Sequence, residues 1–510
     1  MTAPSFLLVI TDSQAARMVG AYSGRDLRTH TLDRLSAEGT RFGRAYCPAP
    51  ICAPCRAAVF SGIHSHTSGP WTNNIALGEN IPHMGQRFRD LGYDTPYMGK
   101  WHLDGHDYFG TGVCPDGWDP RYWFEAKNYL DELTPEQIQL WRNRLNTIED
   151  LKREKIDASF TWANRISNRA IDFLQNGRSE KPFVMVLSYD EPHHPWTCPP
   201  EYAEAFKDFE YDLGPSAFDT LEGKPSIQRE WAAAMSHPAK NGKVNAPLVF
   251  GCKAYVDYEI GRVIEAMDQQ GLDNVWVIYA SDHGEMMGAH NLSLKGCAGY
   301  EEITHVPFIF RPPKKERIAP AVNDTLVGLV DILPTMLDLA GAEAPPIMHG
   351  NSLKPQLMEG VVDTERATFT EFNRYEIEHD SFGGFKPMRM VVKGSRKLLI
   401  HLLSTDELYD LDNDPGELIN RIDDPEYTDV REQLHKELLD WMDRCRDPFR
   451  GPEWERRPWK VNPQSEWMGL FRPRPADGYA PVVRDYDTGM PTKGIKREKK
   501  TTPSSQGDSK

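Results

Sequence analysis

Ser5-Phe6-Leu7-Leu8-Val9-Ile10-Thr11-Asp12-Ser13 runs through consecutive apolar residues and then stops at polar ones. An uninterrupted apolar run of strand length suits a parallel strand covered on both faces, since an exposed face would show alternation. The same grammar returns twice. Phe183-Val184-Met185-Val186-Leu187-Ser188-Tyr189 leads into Asp190-Glu191-Pro192-His193-His194, and Val275-Trp276-Val277-Ile278-Tyr279-Ala280 leads into Ser281-Asp282-His283-Gly284-Glu285. Each run delivers carboxylates or imidazoles at its C-terminal end, the edge where open α/β sheets bind their ligands. Helical periodicity falls between the runs, over 163–174 and over 255–269, where apolar residues stand at 256, 260, 263, 264 and 267. Alternating strands and helices predict an α/β protein built on a large, mostly parallel, doubly wound sheet.

Further along, the texture changes. Pro345-Pro346 to Asn351 reads as a linker. Short strands are expected over 388–392 and 397–402, then a turn at Asn413-Asp414-Pro415-Gly416 and an amphipathic helix ending near Arg446. The expected division is a catalytic domain over 1–370, a small C-terminal α+β subdomain over 371–446, and an irregular tail over 447–510 whose basic end is disordered. Trp454, Trp459 and Trp467 in that tail point to a buried contact, over the body or between copies in a homo-oligomer.

With 59 Lys+Arg against 75 Asp+Glu the net charge is −16, which argues against general nucleic-acid or anionic-membrane binding. Any anionic substrate must therefore meet a local concentration of basic residues. Met1-Thr2-Ala3-Pro4-Ser5 has no basic leader region, and no stretch approaches membrane-span length, so the expectation is a cytoplasmic protein. The 8 cysteines in 510 residues do not make a disulfide scaffold.

The chemistry-bearing segments are Asp12; Cys52-Ala53-Pro54-Cys55-Arg56-Ala57-Ala58-Val59-Phe60-Ser61-Gly62; Gly99-Lys100-Trp101-His102; Pro192-His193-His194-Pro195; Asp282-His283; and Ala289-His290-Asn291-Leu292-Ser293-Leu294-Lys295-Gly296. Each has a bland reading by itself. Cys52-x-x-Cys55 could be a redox or zinc dithiol, an Asp-His pair after a strand is more often structural, and single lysines and histidines are usually solvated. The set in this order, from 12 to 295, resembles the type I, formylglycine-dependent sulfatases of the alkaline phosphatase superfamily. Val330-Asp331-Ile332-Leu333-Pro334-Thr335 and Glu407-Leu408-Tyr409-Asp410-Leu411 with Asp414-Pro415 extend the likeness to about residues 5–445.

The resemblance implies an alkaline phosphatase-like fold and the hydrolysis of aryl or carbohydrate sulfate monoesters. It implies that a formylglycine-generating maturase oxidises Cys52 to 3-oxoalanine, whose hydrate attacks sulfur with one hydroxyl and expels sulfate with the other. Arg56 would stand beside the nucleophile as a permanent charge with forked donors. Lys100 and His102 would contact the diol, His102 taking a proton as the hemiester collapses. His193, with His194 as its rival, and Lys295 would hold sulfate oxygens and protonate the leaving oxygen. Asp12, the Cys52-derived residue, Asp282 and His283 would bind one divalent metal, Ca²⁺ first, with Mn²⁺, Mg²⁺ or Zn²⁺ as alternatives. The chain departs from the family at Cys55, usually Ser, and after Asp12, where Ser13 and Gln14 replace a second acid. His64, His66 and His290 read as supporting or surface residues. Asn373 and Arg374, in the polar and aromatic segment 371–380, and His106-Asp107 are candidates for a sugar-binding pocket, with a surface loop or subunit contact as the equal alternative. Two other functions remain open: a phosphonate monoester or phosphodiester hydrolase of the same superfamily, and a non-enzymatic binding protein retaining an unmodified Cys52.

Overall fold

The computed structural model describes residues 3–235, 239, 241–316, 318–376 and 384–460. Its main sheet contains strands β1 (Ser5–Thr11), β2 (Thr40–Phe42), β3 (Tyr97–Gly99), β4 (Val184–Ser188), β5 (Val275–Ser281), β6 (Phe308–Arg311) and β7 (Ala321–Asn323). Their order is β7-β2-β6-β5-β1-β4-β3. β3, β4, β1 and β5 run parallel, and only β6 is antiparallel to its neighbours β5 and β2. The three apolar runs are thus three adjacent central strands.

Both faces of this sheet are covered, which is why those runs do not alternate. Leu7 and Val9 of β1 pack on one side with helix α2 (Trp162–Asp172) and helix α3 (Pro247–Gln269). Phe6, Leu8 and Ile10 pack on the other with helix α1 (Cys52–Ser61) and helix α4 (Ile332–Leu339). The helix expected over 255–269 begins earlier, at Pro247, a residue tolerated in the first helical turn. Its N-terminal half is buried around most of its circumference, so it carries little periodic signal.

Register explains the functional edge. Thr11 lies opposite Ser281, while Ser188 lies opposite both Ile10 and Gly99. The residues that follow, Asp12, Asp282, Asp190 and Lys100, therefore leave the sheet at one level. Gly99 is required there: its φ is +115°, and a Cβ would stand 1.9 Å from the Ser188 carbonyl oxygen.

A second sheet is antiparallel, with strands β8 (Ala367–Phe372), β9 (Met388–Lys393), β10 (Arg396–His401) and β11 (Glu407–Asp410) in sequence order. Helix α5 (Thr428–Arg444) packs on β9 and β10. β8 belongs to this small sheet, which therefore begins before residue 371. Residues up to Arg450 form one compact unit, and Gly451 begins a second. In the latter, Pro452–Trp454 make a single 3₁₀ turn. Trp467 and the basic end of the tail lie outside the described residues. Residues 345–351 are not a linker between domains: the N–H groups of His349 and Gly350 donate to the Gly62 carbonyl just beyond α1. Among the described residues no helix is long and apolar enough to cross a membrane.

Candidate active site

Cys52 opens α1, with Ile51 as its N-cap. Asn73 accepts the Ala53 N–H at 3.0 Å and so caps a helix end that Ile51 cannot cap. The helix start favours negative charge at position 52. One turn later, on the same face, Arg56 is completely buried. Its Nε donates to Asp282 (3.0 Å), its Nη2 to Asp12 (3.3 Å), and its Nη1 to the Lys100 carbonyl (2.8 Å) and the Ser188 hydroxyl (2.6 Å). One guanidinium thus ties four strand ends to the helix that carries the thiol.

Around Cys52 Sγ stand His283 Nε2 at 3.3 Å, Lys100 Nζ at 3.8 Å and Asp12 Oδ1 at 4.0 Å. Burial and the Asp12 carboxylate push this thiol up, but Lys100, Lys295 and His283 together bring it down to about 6. Burial raises Asp12 too, yet Lys100 at 2.8 Å, Lys295 and two histidines hold it well below the usual carboxylate range. Cys55 is engaged differently: its thiol donates to the Asp282 carbonyl at 2.8 Å, and burial pushes it well up. The group of ligand atoms that includes Cys52 does not include Cys55, which speaks against a dithiol site.

That group is Asp12, Cys52, Asp282 and His283, whose ligand atoms all lie within 4.8 Å of one another. Cys52 Sγ stands where an oxidised residue would present its hydroxyls. Two carboxylates and an imidazole fit one divalent cation; the oxygens suit Ca²⁺ or Mg²⁺, and the nitrogen admits Mn²⁺ or Zn²⁺. Of the residues after Asp12, Ser13 donates its hydroxyl to the Asp12 carboxylate at 2.9 Å and lies 3.4 Å from Lys295. Gln14 accepts the Tyr279 hydroxyl on its amide oxygen at 3.0 Å.

Lys100 and His102 leave the same turn on one side, while Trp101 anchors it from the other, packed against Phe60, Tyr97 and Trp118. Lys100 pairs with Asp190 at 3.2 Å and lies 4.1 Å from the centre of the Tyr108 ring. Tyr108 in turn donates to Asp190 and stacks on His193, with ring centres 5.3 Å apart. His102 is buried, and burial with the Lys100 and Arg56 charges holds it down to about 3, a neutral ring. Its Nε2–H donates to Asn74 Oδ1 (3.2 Å), and Asn74 Nδ2 donates to Glu376 (2.5 Å). Nδ1 of His102 then keeps its lone pair, and it has no partner. His193 gives its Nδ1–H to the His194 carbonyl at 2.7 Å, and burial and Lys295 keep it well below the usual histidine value. His194 is exposed and meets Trp196 edge-on.

The structure therefore brings together Asp12, Cys52, Arg56, Lys100, His102, His193, Asp282, His283 and Lys295. It does not bring in Asn373, which is buried and accepts from Arg389 at 2.9 Å. Arg374 is half-buried, and residues 377–380 of the same segment lie outside the described residues. His106 and Asp107 pair with each other at the surface, 59% and 52% exposed. His290 is a support, stacked on Tyr300 at 3.6 Å and bonded to Asp219 at 2.6 Å. Asn74, Tyr108, Asp190 and Glu376 are site residues to which the sequence reading assigns no individual role; Asp190 carries a signal as a strand-end residue and Glu376 as part of the polar segment 371–380, while Asn74 and Tyr108 carry none.

Comparison with known proteins is consistent with this geometry. The Sulfatase family model matches residues 4–342, and the C-terminal model of N-sulphoglucosamine sulphohydrolase matches 293–444. The chain is 55% identical to the sulfatase YidJ of Escherichia coli, itself uncharacterized, over 98% of this chain and 99% of that one. It is 25% identical to an N-acetylglucosamine-6-O-sulfatase of Bacteroides thetaiotaomicron over 87% of each. In fold it resembles a solved protein in complex with its substrate D-glucosamine-2-N,6-O-disulfate (TM-score 0.69, 23% identity, 88% of this chain and 99% of that one). It resembles the phosphonate monoester hydrolase of Agrobacterium radiobacter to the same degree (TM-score 0.69, 22% identity, 87% and 96%).

Proposed function

The chain belongs to the sulfatase family and is a sulfuric ester hydrolase, and from that premise we propose that it cleaves aryl or carbohydrate sulfate monoesters through a formylglycine made from Cys52 and one divalent cation. The observation that carries this reading is the convergence on Cys52 of two lysines, an imidazole and two carboxylates bridged by Arg56. Relatives named as arylsulfatase, N-acetylglucosamine-6-O-sulfatase and Δ4,5-hexuronate-2-O-sulfatase support both substrate classes.

A maturase would oxidise Cys52, and the hydrated aldehyde would supply the nucleophilic hydroxyl and the means of expelling sulfate. Asp12, Asp282, His283 and the oxidised side chain would hold the cation, which supplies neutralisation of charge on the sulfate. The chain's own residues do the rest. Lys100 and Lys295 bracket the position where sulfate oxygens gain charge, inside a buried site where such cations act strongly. His102, kept neutral and with its Nε2–H spent on Asn74, presents Nδ1 as the acceptor of a hydroxyl proton. His193 is neutral in the free enzyme; the negative charge of a bound ester raises it, so that with Lys295 it serves the leaving oxygen.

The test is the mass of the tryptic peptide Ala45 to Arg56 from protein made with an active maturase, followed by turnover of sulfate and phosphonate monoesters. An aldehyde mass with faster sulfate turnover is expected. An unmodified thiol overturns the nucleophile, and faster phosphonate turnover overturns the substrate class.

A further inference from the structure

Two histidines and a cysteine meet away from the catalytic cluster. His64 lies just beyond the end of α1, His349 in the segment that returns to Gly62, and Cys445 directly after α5. Their ligand atoms all lie within 4.8 Å of one another. His64 is only 3% exposed, and its Nδ1 has no hydrogen-bond partner. A buried ring nitrogen left unpaired calls for an explanation. Trp441 holds the ring edge-on at 5.0 Å. A cavity of about 1010 Å³ reaches all three side chains. Burial outweighs Glu371 and keeps His64 well below the usual histidine value, and burial with His66 keeps His349 down to about 4, so both rings are neutral and able to coordinate.

We propose that His64, His349 and Cys445 form a second, non-catalytic site for a zinc-class divalent cation, its fourth position open to the cavity. Two imidazoles and a thiol are borderline-to-soft donors that suit Zn²⁺ or Co²⁺, in contrast to the oxygen-rich set at Asp12 and Asp282. Binding turns the Cys445 thiol into a thiolate and releases its proton to solvent. It also ends one hydrogen bond. His349 Nδ1 now accepts the His64 N–H at 3.1 Å. Coordination at Nδ1 uses that lone pair, and coordination at Nε2 moves the ring proton onto Nδ1. The surroundings hold the ligands in place: Thr67 donates to the Cys445 carbonyl at 2.8 Å, and His66, alongside His64, is fixed by Glu371 at 2.6 Å. A cation here would clamp the last helix of the small sheet to the end of α1.

The experiment uses the full-length Cys52→Ala chain, which lacks the catalytic thiol, stripped of metal by a chelator and titrated with Co²⁺. A thiolate-to-cobalt charge-transfer band should appear, saturate stoichiometrically and vanish on addition of Zn²⁺. It should be lost when Cys445→Ser is added. With His349→Gln, at a half-buried position, Co²⁺ should bind about 10-fold more weakly or worse. Absence of the band in the folded Cys52→Ala chain overturns the proposal, and so does a band that survives Cys445→Ser.

Discussion

Replacing Gly99 by Ala tests whether the rim turn between β3 and His102 is as constrained as its geometry implies. The added Cβ would fall 1.9 Å from the Ser188 carbonyl oxygen, at a φ of +115°. That oxygen already accepts the Lys100 N–H at 2.8 Å, so it cannot withdraw without releasing the turn. A residue forced into sparsely populated backbone space costs about 1–3 kcal/mol, and losing one sheet-edge hydrogen bond adds about 1 kcal/mol. Gly99→Ala should therefore destabilise by roughly 2–4 kcal/mol. Relief of the overlap also moves Lys100 and His102, and a shift of about 1 Å in such groups costs about 100-fold in rate. The assay is urea denaturation together with kcat on a chromogenic aryl sulfate, the extent of Cys52 oxidation being checked by mass. A variant within about 0.5 kcal/mol of the parent and with undiminished kcat would refute the reasoning.

Three further outcomes are expected. Cys52→Ala should abolish sulfate-ester turnover while leaving the circular dichroism spectrum and thermal midpoint nearly unchanged; residual turnover at parental rate would exclude position 52 as the nucleophile. Arg389→Leu should lose about 3–5 kcal/mol in chemical denaturation, because it strands Asp447, now bonded at 2.6 and 3.1 Å, in a buried setting. Adding Asp447→Leu should recover most of that loss. His401 is pulled down by burial but raised overall to about 10 by the Cys297 thiol and by Glu407 at 2.7 Å. A raised histidine stabilises fully below its ordinary value of 6.5 and loses that contribution as pH climbs to about 10. The thermal midpoint should fall across that window, and His401→Gln should flatten the fall.

The parts of the fold legible in the sequence are those where burial writes a simple pattern. β1, β4 and β5 show as unbroken apolar runs because helices cover both their faces, and the residues at their ends follow from the register. β3 is three residues long, too short to show a pattern, and the first half of α3 is buried too evenly for periodicity. In the site, Cys52, Arg56, Lys100 and Asp282 stand in compact local motifs. Asn74, Tyr108 and Glu376 come from loops whose approach depends on the folded path. Asn373 reads as a candidate for a sugar-binding pocket or a surface loop because its partner, Arg389, is on the neighbouring strand and paired with Asp447 inside the small sheet.

The burial of Cys52 also has a consequence in time. The residue is 2% exposed, at the head of a helix buried along its whole length. If Cys52 is oxidised as proposed, the enzyme that does so would have to reach it before α1 is packed. Some of the groups around the thiol arrive late: His283 is 231 residues further along the chain. At about 5–20 residues per second of synthesis, the stretch around Cys52 waits on the order of 10–50 s for its lid to be made. On the proposed mechanism, the topology that buries Cys52 would thereby also set how long a nascent chain stays open to modification.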